Sequence, residues 1–135
     1  MPTKTYRGSC HCGKVRFEAD IDLSAGTGKC NCTYCWKLRW WGAKVQPDAF
    51  RLITGQEATG YSFPTDKFIT RALCADCAVT SFGWGNIPQV GGDFVSINLA
   101  CLDDLDPAEL IAAPVTYMDG RNDNWWHPPA ETRHL

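Results

Sequence analysis

Short stretches of alternating apolar and polar residues recur along this chain. Val15-Arg16-Phe17-Glu18-Ala19-Asp20 alternates with the two-residue period of a half-buried strand. Phe50-Arg51-Leu52-Ile53-Thr54-Gly55 reads as another, and so does Tyr61-Ser62-Phe63 before Pro64 ends it. Lys67-Phe68-Ile69-Thr70-Arg71-Ala72-Leu73 broadly alternates and delivers the chain to Cys74, and Phe94-Val95-Ser96-Ile97-Asn98-Leu99 continues the pattern. Glycine and proline punctuate at Gly26, Gly28, Gly55, Gly60, Pro88, Gly91 and Gly92. One helix is well signalled, with Asp106 as N-cap, Pro107 at the first helical position, Glu109 at the third, and an end before Pro114. A second is predicted over Thr33–Trp41, with Gly42 as its stop. Many short strands and one or two short helices predict a mainly β protein, a small antiparallel β-sheet domain spanning residues 1–135 as one unit.

Composition narrows the class. At 135 residues, 44% apolar and 21% charged, the chain is long enough for a core and short enough to gain from a metal staple. No apolar run approaches the roughly 18 residues of a membrane helix. Met1 to Ser9 is polar and lacks the apolar centre of a signal peptide, so a cytoplasmic protein without a membrane partner is expected. The formal net charge of −2, without a basic stripe, argues against nucleic acid.

Seven of the eight cysteines fall in three tight clusters. Cys10 and Cys12 form a C-x-C, Cys30, Cys32 and Cys35 a C-x-C-x-x-C, and Cys74 and Cys77 a C-x-x-C. Thiolates one or two residues apart meet one ion from one tight loop. Neighbours at C-x-C spacing are poor disulfide partners, and a reducing compartment favours metal sites or catalytic thiols. A closed zinc site takes four ligands, whereas a reactive one keeps three and an open position. Seven divides as four plus three: Cys10, Cys12, Cys74 and Cys77 around a structural zinc, and Cys30, Cys32 and Cys35 around a second. A single four-thiolate site with the middle cluster free of metal is the variant of this reading. Cys101, inside an apolar run, reads as a small buried hydrophobe.

The motifs resemble a known family. Gly8-Ser9-Cys10-His11-Cys12-Gly13-Lys14-Val15-Arg16-Phe17 is similar to the opening of the glutathione-dependent formaldehyde-activating enzyme family, which also contains centromere protein V. Cys30-Asn31-Cys32-Thr33-Tyr34-Cys35 resembles its second motif and Arg71-Ala72-Leu73-Cys74-Ala75-Asp76-Cys77 its third, while Leu99–Asp103, Pro114 and Trp125 resemble its C-terminal portion. The resemblance implies a tent-like β fold around zinc, with the same four-plus-three division of ligands. It also implies a carbon–sulfur lyase-type activity that brings glutathione to formaldehyde at the three-cysteine zinc. A non-catalytic zinc-structured binding module and a redox-sensing domain are the alternatives. Two departures stand out: Ala78-Val79 replaces the family's usual Gly-Ser after Cys77, and Trp36-Lys37-Leu38-Arg39-Trp40-Trp41 replaces its usual basic pair after Cys35.

Three thiolates and an open position suit a substrate thiol, whose pKa zinc lowers. Cys30, Cys32 and Cys35 are therefore the catalytic candidates, with Tyr34 as proton donor to the alkoxide. Glutathione carries two carboxylates, which Lys37 and Arg39, with Lys44 nearby, are placed to read. In a Thr33–Trp41 helix, Lys37 would share a face with Trp41, and Trp36 with Trp40. Three tryptophans in six residues cannot all be core, so Trp40 is a substrate-binding candidate and the group a pocket wall or homodimer surface. Trp125 and Trp126 pose the same question. His127 is a remote candidate for the open zinc position, and His11 is expected to point away from the metal.

Overall fold

Among the described residues, 3–61 and 69–135 of a computed structural model, ten strands make two sheets. In chain order they are β1 (Lys4–Ser9), β2 (Arg16–Ile21), β3 (Thr27–Cys30), β4 (Gly42–Val45), β5 (Phe50–Thr54), β6 (Thr59–Tyr61), β7 (Ile69–Cys74), β8 (Thr80–Ile87), β9 (Gly92–Asn98) and β10 (Val115–Met118). The smaller sheet runs β1-β2-β5 and the larger β10-β3-β4-β9-β8-β7-β6. Their pairings are antiparallel except β10 with β3, which is parallel. Mainly β with antiparallel sheets is the class the alternation predicted. No helix among the described residues is long and apolar enough to cross a membrane.

Inward residues of both sheets meet in one core. Phe17 on β2 and Phe50 on β5 stack on Phe82 of β8, with ring centroids 5.5, 6.1 and 4.7 Å apart. Ala19, Ile97 and Leu99 lose all solvent contact beside them. Cys101 packs in the same core as the small hydrophobe expected, and burial pushes its thiol up to about 11. β1 was not predicted from the polar N-terminus, because its inward positions are Tyr6 and Gly8 and a glycine hides the period. Gly8 lies opposite Phe17, whose ring fills the space a side chain would need.

Both helices exist, and one is shorter than expected. α2 (Pro107–Ala112) carries the full capping box between Asp106 and Glu109. α1 (Thr33–Leu38) stops three residues before the predicted Trp41. Arg39 takes the left-handed conformation (φ 56°), and the Arg39 and Trp40 N–H groups bond back to the Trp36 and Cys35 carbonyls. That turn ends the helix, so Gly42 is not its stop but the first residue of β4. It also removes the helical face pairing of Trp36 with Trp40 and Lys37 with Trp41, since Trp40 swings into a buried position. Leu99 likewise leaves its strand for a 3-10 turn over Leu99–Cys101. The strand expectations at Ser62 to Pro64, Lys67 and Phe68 lie outside the described residues.

Candidate metal centre

Two knuckles build the four-cysteine cluster. Cys10 and Cys12 sit in the turn from β1 to β2, and Cys74 and Cys77 in the turn from β7 to β8. The turns repeat one device: Gly13 N–H bonds the Cys10 carbonyl and Ala78 N–H the Cys74 carbonyl, each residue at positive φ (80° and 65°). Lys14 and Asp76 join the knuckles across 2.7 Å. The sulfurs of Cys10 and Cys12, and of Cys12 and Cys74, lie 3.6 Å apart, and all four fall within 4.8 Å of one another. A zinc–sulfur bond of about 2.3 Å in a tetrahedron sets sulfurs about 3.8 Å apart, so the geometry fits. All eight cysteines are free of disulfides. The Val79 N–H holds the Cys77 thiol down to about 6, toward the thiolate a metal takes. His11, between Cys10 and Cys12, is exposed.

The three-cysteine cluster lies at the other edge of the larger sheet, where β3 ends and α1 begins. Cys30 closes β3, Cys32 caps α1, and Cys35 lies in its first turn. The Cys32 N–H points at Cys30 Sγ (3.4 Å) and the Cys35 N–H at Cys32 Sγ (3.3 Å). Hydrogen bonds from Cys30 and Cys35 pull the Cys32 thiol well below the ordinary thiol range, while the same contacts and burial push Cys35 up. Three neighbouring thiols cannot all ionise without a cation between them, so this donor set also fits zinc. Cys30, Cys35 and Trp40 form a small apolar cluster apart from the main core, with Cys32, Met118 and Trp125 packed on it.

Two partners of this cluster were not foreseen. Buried Asn31, between two thiols, ties the loop after β10: its Nδ2 donates to Asp119 Oδ1 (2.8 Å), and its Oδ1 accepts the Arg121 N–H (2.9 Å). Arg121 Nε adds a bond to the Asn31 carbonyl (3.0 Å). The second is Arg71 on β7, 3% exposed, whose Nη2 donates to Cys35 Sγ across 3.5 Å. Its guanidinium lies 4.5 Å from the Trp40 ring centroid and 5.6 Å from that of Tyr34. The identity of Arg71, a cation three residues before a clustered cysteine in a strand whose other residues carry no charge, was the available signal.

Cys30, Cys35 and Trp40 line two cavities. The first, about 180 Å³, is walled by Trp40, Met118, Trp125, Trp126, Ile87 and Val90, with Arg71 and Lys44 as its cations. The second, about 200 Å³, is walled by Trp36, Trp40 and Trp41 with Lys29 and Arg39. Arg39 stacks on Trp36 (4.8 Å) and donates to the His134 carbonyl (2.7 Å), while Lys29 donates to the Leu135 carbonyl (3.0 Å). Burial, then the charge of Arg39, pushes the Lys29 ammonium down. Of the predicted substrate residues, Arg39 and Trp40 thus meet at the cluster. Lys37 is exposed and lines neither cavity among the described residues, and Lys44 faces the apolar one. Tyr34 stands beside Arg71 outside both walls, and His127 is exposed with Nδ1 3.0 Å from Asn124 Oδ1.

Comparison with known proteins adds a family model and a solved structure. The model described as "Glutathione-dependent formaldehyde-activating enzyme" matches residues 5–118. A crystal structure of a Rhodobacter sphaeroides protein, a structural-genomics target, superposes with a TM-score of 0.66 at 22% identity, over 82% of this chain and 99% of that one. At that identity the likeness speaks for the fold.

Proposed function

The chain belongs to the glutathione-dependent formaldehyde-activating enzyme family, and from that premise we propose that it is a zinc-dependent carbon–sulfur lyase-type enzyme working on a thiol adduct. The observation that carries the reading is the three-thiol cluster flanked by a cavity with two cations. Zinc held by Cys30, Cys32 and Cys35 would supply an open fourth position and ionise a substrate thiol at neutral pH. The chain's own residues do the rest. Lys29 and Arg39 face the second cavity, where their mutual repulsion favours an anion. A glutathione carboxylate there exchanges the His134 and Leu135 carbonyl contacts for charge-assisted ones.

The chemistry is an addition. The thiolate lone pair forms the S–C bond to formaldehyde, the carbonyl π pair moves to oxygen, and that oxygen regains the proton the thiol gave up. Arg71 keeps its charge at any working pH and cannot serve as the acid. Its positive charge beside Cys35 would instead stabilise the developing alkoxide. Cys10, Cys12, Cys74 and Cys77 would hold a structural zinc.

Titrating the zinc-loaded protein with glutathione and with simpler thiols tests this reading. Each charge-assisted contact contributes about 1.5–3 kcal/mol, so Lys29→Met or Arg39→Met should raise the glutathione dissociation constant at least tenfold, while Lys37→Met should change it less than threefold. Simple thiols that bind where glutathione does not would show that the family's named thiol is not this chain's. A protein holding one inert zinc and binding no thiol would favour the non-catalytic module.

A further inference from the structure

We propose that the carbonyl partner of this site is an aldehyde bearing an apolar group about the size of one ring, rather than formaldehyde alone. The inference rests on the thiol-adduct reading and names its second substrate. The two cavities share Cys30, Cys35 and Trp40, so a sulfur held at the cluster borders both. The carboxylates of the thiol belong with Lys29 and Arg39. An electrophile meeting the same sulfur then has the first cavity to occupy, where Met118, Trp125, Ile87 and Val90 present apolar surface. That volume, about 180 Å³, resembles the roughly 150 Å³ apolar cavity known to admit benzene. Formaldehyde brings no apolar atoms to fill it. Water would have to, against a lining in which indole, thioether and aliphatic groups outnumber the polar Lys44, Arg71, Gln89 and Ser96. An aldehyde such as phenylacetaldehyde places its ring there and leaves its carbonyl toward Arg71 and the cluster. The bond changes are those of the formaldehyde reaction, with no oxidant or reductant.

The probe for binding is benzyl alcohol, which cannot react, followed by tryptophan emission because Trp40, Trp125 and Trp126 line the cavity. Saturable binding at least tenfold tighter than methanol is expected. The rate test uses the zinc-loaded protein, glutathione, and either formaldehyde or phenylacetaldehyde, each corrected for the uncatalysed addition. Phenylacetaldehyde should be accelerated at least tenfold more. Val90 is 47% exposed at the rim, so Val90→Trp fills the cavity without disturbing the core. It should lower the phenylacetaldehyde-to-formaldehyde rate ratio at least tenfold and weaken benzyl alcohol equally, with zinc content and melting temperature as checks on folding. Trp126 is also exposed, and Trp126→Phe, which trades its indole for a smaller phenyl ring, provides the second variant and should shift the same ratio. Acceleration of formaldehyde alone, or benzyl alcohol binding indifferent to Val90→Trp, overturns the inference and leaves the thiol-adduct reading standing. Acceleration of neither aldehyde, with no glutathione binding, overturns both.

Discussion

Asn31 Nδ2 donates to Asp119 Oδ1 at 2.8 Å, locking the loop between Cys30 and Cys32 to a segment 88 residues later in the chain. Both residues are buried, and Gly120 beside Asp119 passes so close to Cys30 Sγ that a Cβ there would lie 2.6 Å from it. Three ligands from one short loop would otherwise be free to splay. The Asn31–Asp119 pair gives them a tertiary anchor.

Removing that anchor should loosen the metal before the fold. Partners that orient ligands typically contribute 10–100-fold to metal affinity. Asn31→Ala should therefore weaken one zinc equivalent at least tenfold in a chelator competition and leave the other unchanged. Equal affinity for both ions would show that the loop holds its shape unaided.

The two clusters should respond differently to loss of one ligand. Cys10 and Cys74 are buried in the main core and their knuckles lie far apart in sequence, so a metal there closes a long loop. Cys74→Ser should sharply lower solubility and melting temperature. Cys32→Ser should stay folded, lose one zinc and lose thiol-adduct chemistry. Unfolding of Cys32→Ser beside a stable Cys74→Ser would reverse the assignment.

Ala78 stands at φ 65° where Gly13 serves the matching turn at φ 80°. A side chain in the left-handed region costs about 1–2 kcal/mol, and glycine there costs about 0.5–1 in backbone entropy. Ala78→Gly should stabilise the protein by about 0.5–1 kcal/mol, a rise of roughly 2–4 °C in melting temperature. A fall would mean that the Ala78 methyl group makes contacts that outweigh the strain.

Arg51 and Thr5 bond Asp20 at 2.9 and 2.7 Å, which holds its carboxyl down to about 2 from an ordinary 3.8. A depressed carboxylate stabilises the fold above its unfolded pKa, and this contribution disappears as pH falls through about 2. Stability of the β2–β5 pair should thus decline between pH 4 and 2, and Asp20→Asn should flatten that part of the acid profile. An unchanged slope would place the acid sensitivity elsewhere.

The strands with an apolar–polar period and the α2 cap were legible in the chain because their signals are local. β1, β3, β4, β8 and β10 were not: a glycine takes one of the two inward positions in β1, two glycines interrupt β8, β4 is only four residues long, and β3 and β10 pair in parallel across residues far apart in sequence. The clustered cysteines stood out because ligand geometry constrains spacing, and the structure gathers them in groups of four and three that could hold a metal. Lys29 was missed, since its proximity to Arg39 depends on where α1 ends. That end turned on Arg39 itself, a residue type that does not advertise a left-handed cap. The Asn31 tie and the Arg71 contact join distant segments, and no spacing rule announces them.

A single indole, Trp40, lines both cavities, and its face also carries the Arg71 guanidinium. Whatever fills one chamber presses on a wall that belongs to the other, so the occupants do not bind as strangers. Thermodynamic reciprocity then fixes the relation: the factor by which a bound anion changes affinity for an apolar guest equals the factor by which that guest changes affinity for the anion. Cutting back this shared wall with Trp40→Leu would bring both factors toward one, turning a communicating pair of chambers into two that ignore each other.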